Sequence, residues 1–196
     1  MLPLLACVAT LRPGPRHSDT THRGLIVGGQ VTQPHEFPFV LSLQESGAHI
    51  CGASLVSPRW ALTAAHCVDA RLAASAYSVG VHRHDLSLPT THDHSCSERV
   101  AVLELHCHAA FSKATLENDI CLLKLTVEPR CASGLLLPLV DSGSSSAAGT
   151  VATVAGWGLL SDTTMMRPQK LHSVEVHLIS NYVCADHLLP IGASIT

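Results

Sequence analysis

From residue 39 onward, short apolar stretches alternate with turn signals along the chain. Phe39-Val40-Leu41-Ser42-Leu43, residues 49–56 and residues 60–64 read as strands, with Ser57-Pro58 turning between the last two. Residues 77–81, 100–105 and 119–125 follow as further strands, then 150–157 and 171–179. In the last of these, Val174, Val176 and Leu178 alternate with Ser173, Glu175 and His177, the period of a half-buried strand. One helix is expected near the end, with Ser180 as N-cap and Ile179 and Cys184 as a hydrophobic staple. Many short strands punctuated by Gly and Pro predict an all-β barrel or sandwich.

The polar stretches divide this pattern. Residues 10–25 carry Pro, Gly and Arg and read as an exposed, cleavable pro-segment. Residues 82–98 form a polar, His-rich loop, and residues 141–149 (DSGSSSAAG) have a linker composition. The first nine residues, MLPLLACVA, are expected to be a short secretory signal, with an apolar stretch and small residues at a cleavage point but no Lys or Arg in front.

Composition narrows the function classes. Apolar residues make up 46% and charged residues 14% of the 196, enough for a packed core. Aromatics are only 4%, so the core must be built from Val, Leu, Ile and Ala. A net charge of −3 gives no footprint for nucleic acid or an anionic membrane, and no apolar run approaches the roughly 18 residues of a membrane span. Eight cysteines point to an oxidising compartment, and so to a secreted protein.

The strongest local signal is Leu62-Thr63-Ala64-Ala65-His66-Cys67, preceded by Cys51-Gly52-Ala53-Ser54-Leu55. The first motif resembles the histidine motif of the trypsin/chymotrypsin-fold serine proteases. Ile26-Val27-Gly28-Gly29 is similar to that family's mature N-terminus, Asn118-Asp119-Ile120-Cys121-Leu122-Leu123 to its aspartate motif, and Gly156-Trp157-Gly158 to a turn of its second barrel. These motifs stand in the family's order, and the resemblance runs from Ile26 to the end. It implies a double six-stranded antiparallel β-barrel with the second barrel incomplete. The first barrel would span residues 26–140, a linker 141–150 and a partial second barrel 151–196, after a signal and pro-segment at 1–25. It also implies serine endopeptidase chemistry. A serine hydroxyl is a poor nucleophile near neutral pH, and an imidazole with an ordinary pKa of about 6.5 can take its proton. A buried carboxylate fixes the imidazole tautomer. By resemblance His66 is the general base, Asp119 its orienting partner, Ile26 the mature N-terminus, and Cys51 and Cys67 a disulfide pair. Protein or peptide substrates or inhibitors are the implied partners, acting on a monomer with no cofactor.

Departures from the family are as informative. The nucleophile should lie in a Gly-Asp-Ser-Gly-Gly stretch downstream of Cys184, and the sequence contains none. Gly192-Ala193-Ser194 lacks the acidic residue and the following glycines that let backbone N–H groups approach an oxyanion, so Ser194 reads as a loop serine. The resemblance places the oxyanion hole, specificity pocket, activation aspartate and the disulfide partner of Cys184 past Thr196, so the chain is expected to be truncated and inactive as it stands. Leu25 precedes Ile26 where the family has Arg or Lys, with Arg23 two positions earlier, so activation needs a cut after Leu25 or trimming after Arg23.

Other readings compete. A non-catalytic secreted homologue acting as a binding or decoy protein is the alternative function. The pairs His82/His84, His92/His94 and His106/His108 are spaced to share one side of a strand and resemble zinc or copper pairs, but form no recognised pattern; a solvated loop is the plainer reading, and no metal is expected. Zinc held by His66 with Cys51 and Cys67 lacks zinc-finger spacing. Asp85, Asp93, Glu98 and Glu104 are available to calcium without any spacing that singles out a site. Cys96, Cys107, Cys121 and Cys131 leave connectivity open, with Cys121 expected as a buried free thiol.

Overall fold

Residues 121–125 show how the sequence pattern becomes a barrel wall. Cys121, Leu123 and Leu125 are fully buried while Leu122 is exposed, the alternation of a strand with one face on a core. A computed structural model of the chain describes residues 26, 28–132, 134–139, 147–160, 167–180 and 182–184. Its strands are β1 (Gln30–Val31), β2 (Val40–Glu45), β3 (Ala48–Ser57), β4 (Trp60–Thr63), β5 (Tyr77–Val81), β6 (Glu98–Cys107), β7 (Cys121–Leu125), β8 (Val151–Gly156) and β9 (His172–His177). A four-residue helix, α1 (Thr90–Asp93), lies in the His-rich loop.

Six strands close into an antiparallel barrel in the order β2-β3-β4-β7-β6-β5. Its core is aliphatic, as the scarcity of aromatics requires: Leu41, Leu43, Leu55, Val79, Val81, Leu123 and Leu125 are fully buried, and Tyr77 is the one large aromatic among them. Tyr77 reaches a polar partner at the core's edge, its hydroxyl accepting the Asp69 N–H at 2.8 Å. Strand β6 alternates in the same way, with Val100 and Val102 buried and Leu103 exposed. Closure leaves this barrel without a free edge.

Among the described residues the second unit is a three-stranded sheet in the order β1-β9-β8. Gln30–Val31 thus belong to the second sheet although they precede the first barrel, pairing with Ser173 and His172. Two residues are too few to show a period. The seam between the units is knitted by backbone. Leu171 N donates to His84 O at 2.8 Å, Leu86 N to Gln169 O at 2.8 Å, and the Trp157 indole to His84 O at 3.1 Å. Trp157 packs there with Val40 and Leu171.

Two expectations about cysteines are corrected. Cys121 is not a free thiol: it is bonded to Cys107. The two stand directly opposite each other in the β6–β7 register, a relation that spacing along the chain does not reveal. Cys184 was expected to find its partner past Thr196, but it is already disulfide-bonded. Cys96–Cys131 closes the far side of the barrel. The expected helix begins where Ser180 caps it, with Ser180 Oγ accepting the Val183 N–H at 3.3 Å and Ser180 O accepting the Cys184 N–H at 2.9 Å.

Candidate active site

Register brings His66 and Asp119 together. Antiparallel pairing sets Thr63, the end of β4, opposite Cys121, the start of β7. The chain leaving β4 and the chain entering β7 therefore meet at the same end of the barrel. After Thr63 the backbone stays extended at Ala64 and then tightens into one 3₁₀ turn, Ala65–Cys67, which carries His66. Before Cys121 it makes a three-residue turn, with Ile120 N donating to Asn118 O at 2.8 Å. Asn118 takes a left-handed φ of 56°, a conformation asparagine tolerates better than most residues, and its side-chain amide donates to Ala110 O at 3.1 Å. This turn is why the strand expected over 119–125 begins at Cys121 and leaves Asp119 free to face the histidine.

Asp119 grips His66 twice. Its Oδ1 accepts the His66 backbone N–H at 2.8 Å, and its Oδ2 lies 2.6 Å from His66 Nδ1. An ionised carboxylate only accepts, so Nδ1 carries the proton and Nε2 holds the free lone pair. The Asp119 side chain is 5% exposed and that of His66 41%, so the carboxylate is shielded while the imidazole stays accessible. Cys51 and Cys67 are joined in a disulfide beside this turn. Both sulfurs are thereby committed, and a zinc site made of Cys51, His66 and Cys67 has no thiolate to offer. Thr63 Oγ1 donates to Gly52 O at 2.8 Å and ties the same turn to β3.

The pair opens onto a cleft of about 510 Å³ between barrel and second sheet, walled by His49, Cys51, His66, Gly156, Trp157 and Arg167. Ile26 plugs its far end. It is buried, its backbone N donates to Leu159 O at 2.7 Å, and its side chain rests on Gly29 and Gly156, where a Cβ would come within 2.5 and 3.3 Å of it. His49 was not singled out in the sequence. Its Nδ1 lies 2.9 Å from the buried Ser42 Oγ, and its ring meets Trp157 edge to face at 5.4 Å. Burial, aided by the Arg167 guanidinium, lowers its pKa to about 4. Nothing in its local sequence marks it, because both neighbours arrive from other strands. Ser194 lies outside the described residues.

The acidic residues considered for calcium are engaged by other side chains, Glu98 by Arg130 among them. Asp85 is held by Ser87, Glu104 by Lys124 and His106, and Asp93 by Arg83. Of the spaced histidines, His82 and His94, from two different pairs, meet each other at 5.1 Å between ring centroids.

With the two hydrogen bonds of Asp119 to His66 in place at the mouth of a barrel cleft, the comparisons with known proteins fall into line. The trypsin family model matches residues 26–196. This chain belongs to the trypsin family. Trypsin delta of Drosophila erecta is 31% identical over 172 residues, covering 88% of this chain and 64% of that protein. Human granzyme M is 38% identical over 138 residues, 68% of this chain and 49% of that protein. The chain therefore spans less than two thirds of the length of these curated relatives. Among solved structures, human heparin binding protein shares the fold at a TM-score of 0.70 and 27% identity, covering 81% of this chain and 68% of that one.

Proposed function

We propose that this trypsin-family chain carries the general-base half of a secreted serine endopeptidase, with His66 as base and Asp119 as its orienting carboxylate. The observation that supports this is the double hydrogen bond from Asp119 to the His66 backbone and ring. It fixes the tautomer that leaves Nε2 unprotonated, 3.5 Å from the sulfur of Cys67. A serine hydroxyl placed against Nε2 would lose its proton as it attacks a peptide carbonyl, and the imidazolium formed would be stabilised by the buried Asp119. The same proton then passes to the leaving amine. Residues 1–196 contain no Gly-Asp-Ser-Gly-Gly stretch, so the 196 residues alone supply base and orienter without a nucleophile or its oxyanion donors, and peptide hydrolysis by them is not expected. The described disulfides agree with an extracellular setting, and no described helix is long and apolar enough to cross a membrane.

The test uses protein expressed from the complete coding sequence beside the 196-residue chain. A fluorophosphonate probe should label one serine of the former and none of the latter. Asp119→Asn in the labelled protein should lower turnover by about 10⁴-fold, the size of the effect in serine proteases when the tautomer is wrong. Turnover within tenfold of the parent would defeat the role given to Asp119.

A second reading, a non-catalytic binding or decoy protein, is favoured by the missing nucleophile motif and by likeness to a protein whose name describes heparin binding. The net charge of −3 gives heparin itself little to hold. Absence of labelling in both proteins, with a tight protein ligand recovered at the cleft, would select this reading.

A further inference from the structure

On the flank of the barrel, away from the His66 cleft, three imidazoles converge from three separate segments. His35 lies between β1 and β2, His82 directly follows β5, and His94 directly follows α1. One ring nitrogen from each lies within 4.8 Å of the other two. The ring centroids of His35 and His94 are 4.3 Å apart, those of His82 and His94 5.1 Å. We propose that His35, His82 and His94 form a binding site for a divalent transition-metal ion, with zinc as the ion to test first.

Four observations carry this. The first is unsatisfied polarity. Among the described residues, His35 Nδ1 and both ring nitrogens of His82 are buried without a hydrogen-bond partner. Buried nitrogens are nearly always satisfied, and a metal ion takes up a lone pair that no protein donor reaches. The second is backbone conformation. His35 and His82 have φ values of 63° and 51°, a left-handed region uncommon for residues with a Cβ, and such outliers cluster at ligand sites.

The third is preorganisation of the supporting shell. Asp93, at the end of α1, is buried against Arg83 Nε at 3.0 Å and also accepts the backbone N–H groups of His84 at 2.6 Å and Asp85 at 3.2 Å. The segments bearing His82 and His94 are thus clamped together through a buried ion pair. Cys96, two residues past His94, is fixed by its disulfide to Cys131. The fourth is the donor set. Imidazoles suit zinc, copper and nickel, and three of them with one open position form a known zinc arrangement. The three residues are each only partly buried as a whole, while the donor nitrogens of His35 and His82 face inward.

Binding asks for modest rearrangement. Zinc–nitrogen bonds of about 2.0–2.1 Å in a tetrahedron hold the nitrogens roughly 3.3–3.4 Å apart. The three donors must therefore draw in by up to about 1.5 Å, within reach of side-chain rotation. His94 Nδ1 accepts the Cys96 N–H at 3.1 Å. Coordination through Nε2 moves the ring proton to Nδ1 and gives up that one hydrogen bond in exchange for a metal bond. Asp93 and Glu98 provide nearby negative charge, opposed by Arg83 and His84. The bound ion would join the strap between β1 and β2, which links the second sheet to the barrel, to the loop between β5 and β6. It should therefore raise the melting temperature by mass action.

The full chain, stripped by a chelator and dialysed, is titrated with zinc chloride in a calorimeter. One zinc per chain should bind. His82→Asn and, separately, His94→Gln should each weaken binding at least about a hundredfold, more than the loss of an outer-shell partner. His108→Ala, on an exposed turn, should leave binding unchanged. Asparagine tolerates the left-handed backbone at position 82, and melting in chelator checks that each variant folds. Cobalt(II) gives a readout that needs no variant: the wild-type chain should develop the strong visible absorption of a four-coordinate site. Stoichiometric zinc binding untouched by either substitution, or neither zinc heat nor a four-coordinate cobalt spectrum in the wild-type chain, would overturn the site.

Discussion

The first barrel and the described part of the second sheet are both antiparallel β-structure but differ in closure and burial. The barrel pairs six strands into a ring, buries leucines and valines completely, and is tied by three disulfides, Cys51–Cys67, Cys96–Cys131 and Cys107–Cys121. The second sheet has three described strands, and Val151 at the start of β8 is 52% exposed. The chemistry follows the same division. His66 and Asp119 both rest on the barrel, whereas the second sheet contributes Gly156 and Trp157 as cleft wall. The two hydrogen bonds between His66 and Asp119 thus join two segments of the closed barrel.

Substitutions can break or sharpen that contrast. The largest effect is expected in the barrel core. Leu123→Ala should cost about 2–5 kcal/mol by chemical denaturation, whereas Val151→Ala should stay within about 0.5 kcal/mol. Equal losses at both positions would erase the distinction between the two units. Removing the bridge beside the site, as Cys51→Ala with Cys67→Ala, should cost about 3 kcal/mol for a loop of this length. Amide exchange should then quicken first in the turn that carries His66.

The seam should respond to pH. His49 is held near a pKa of about 4 by burial against Trp157 and by Arg167, below the ordinary 6.5. On acidification the unfolded chain binds its proton first, so the folded state loses stability as pH falls from about 6.5 and continues to lose it down to about 4. Above about 6.5 this contribution is fully present. Melting temperature followed against pH should show this slope in the parent chain and a flatter one in His49→Gln; identical slopes would remove His49 from the explanation. A smaller effect than loss of the core leucine or the disulfide is expected for Trp157→Phe, which gives up the indole bond to His84 O. That carbonyl keeps the Leu171 N–H, so about 1 kcal/mol is lost.

Much of the barrel was legible because short apolar stretches separated by turn signals mark strands, as at residues 39–43, 77–81 and 119–125. Ser180 was legible as a cap because capping is local. What escaped were relations across strands. Cys121 looked like a thiol buried in a strand until register set Cys107 opposite it. Gln30–Val31 carry no period and join a sheet whose other strands lie more than a hundred residues onward. His66 and Asp119 were legible through their motifs, yet their contact depends on β4 pairing with β7. His35 and His49 had no motif, and their neighbours come from distant segments.

The most direct measurement of the role given to His66 is serine-directed labelling of protein from the complete coding sequence, with and without His66→Ala, beside the 196-residue chain. The expected result is one labelled serine in the first, loss of that labelling by several orders of magnitude on His66→Ala, and no label on the 196 residues. Labelling that survives His66→Ala, or any labelled serine within residues 1–196, would contradict it.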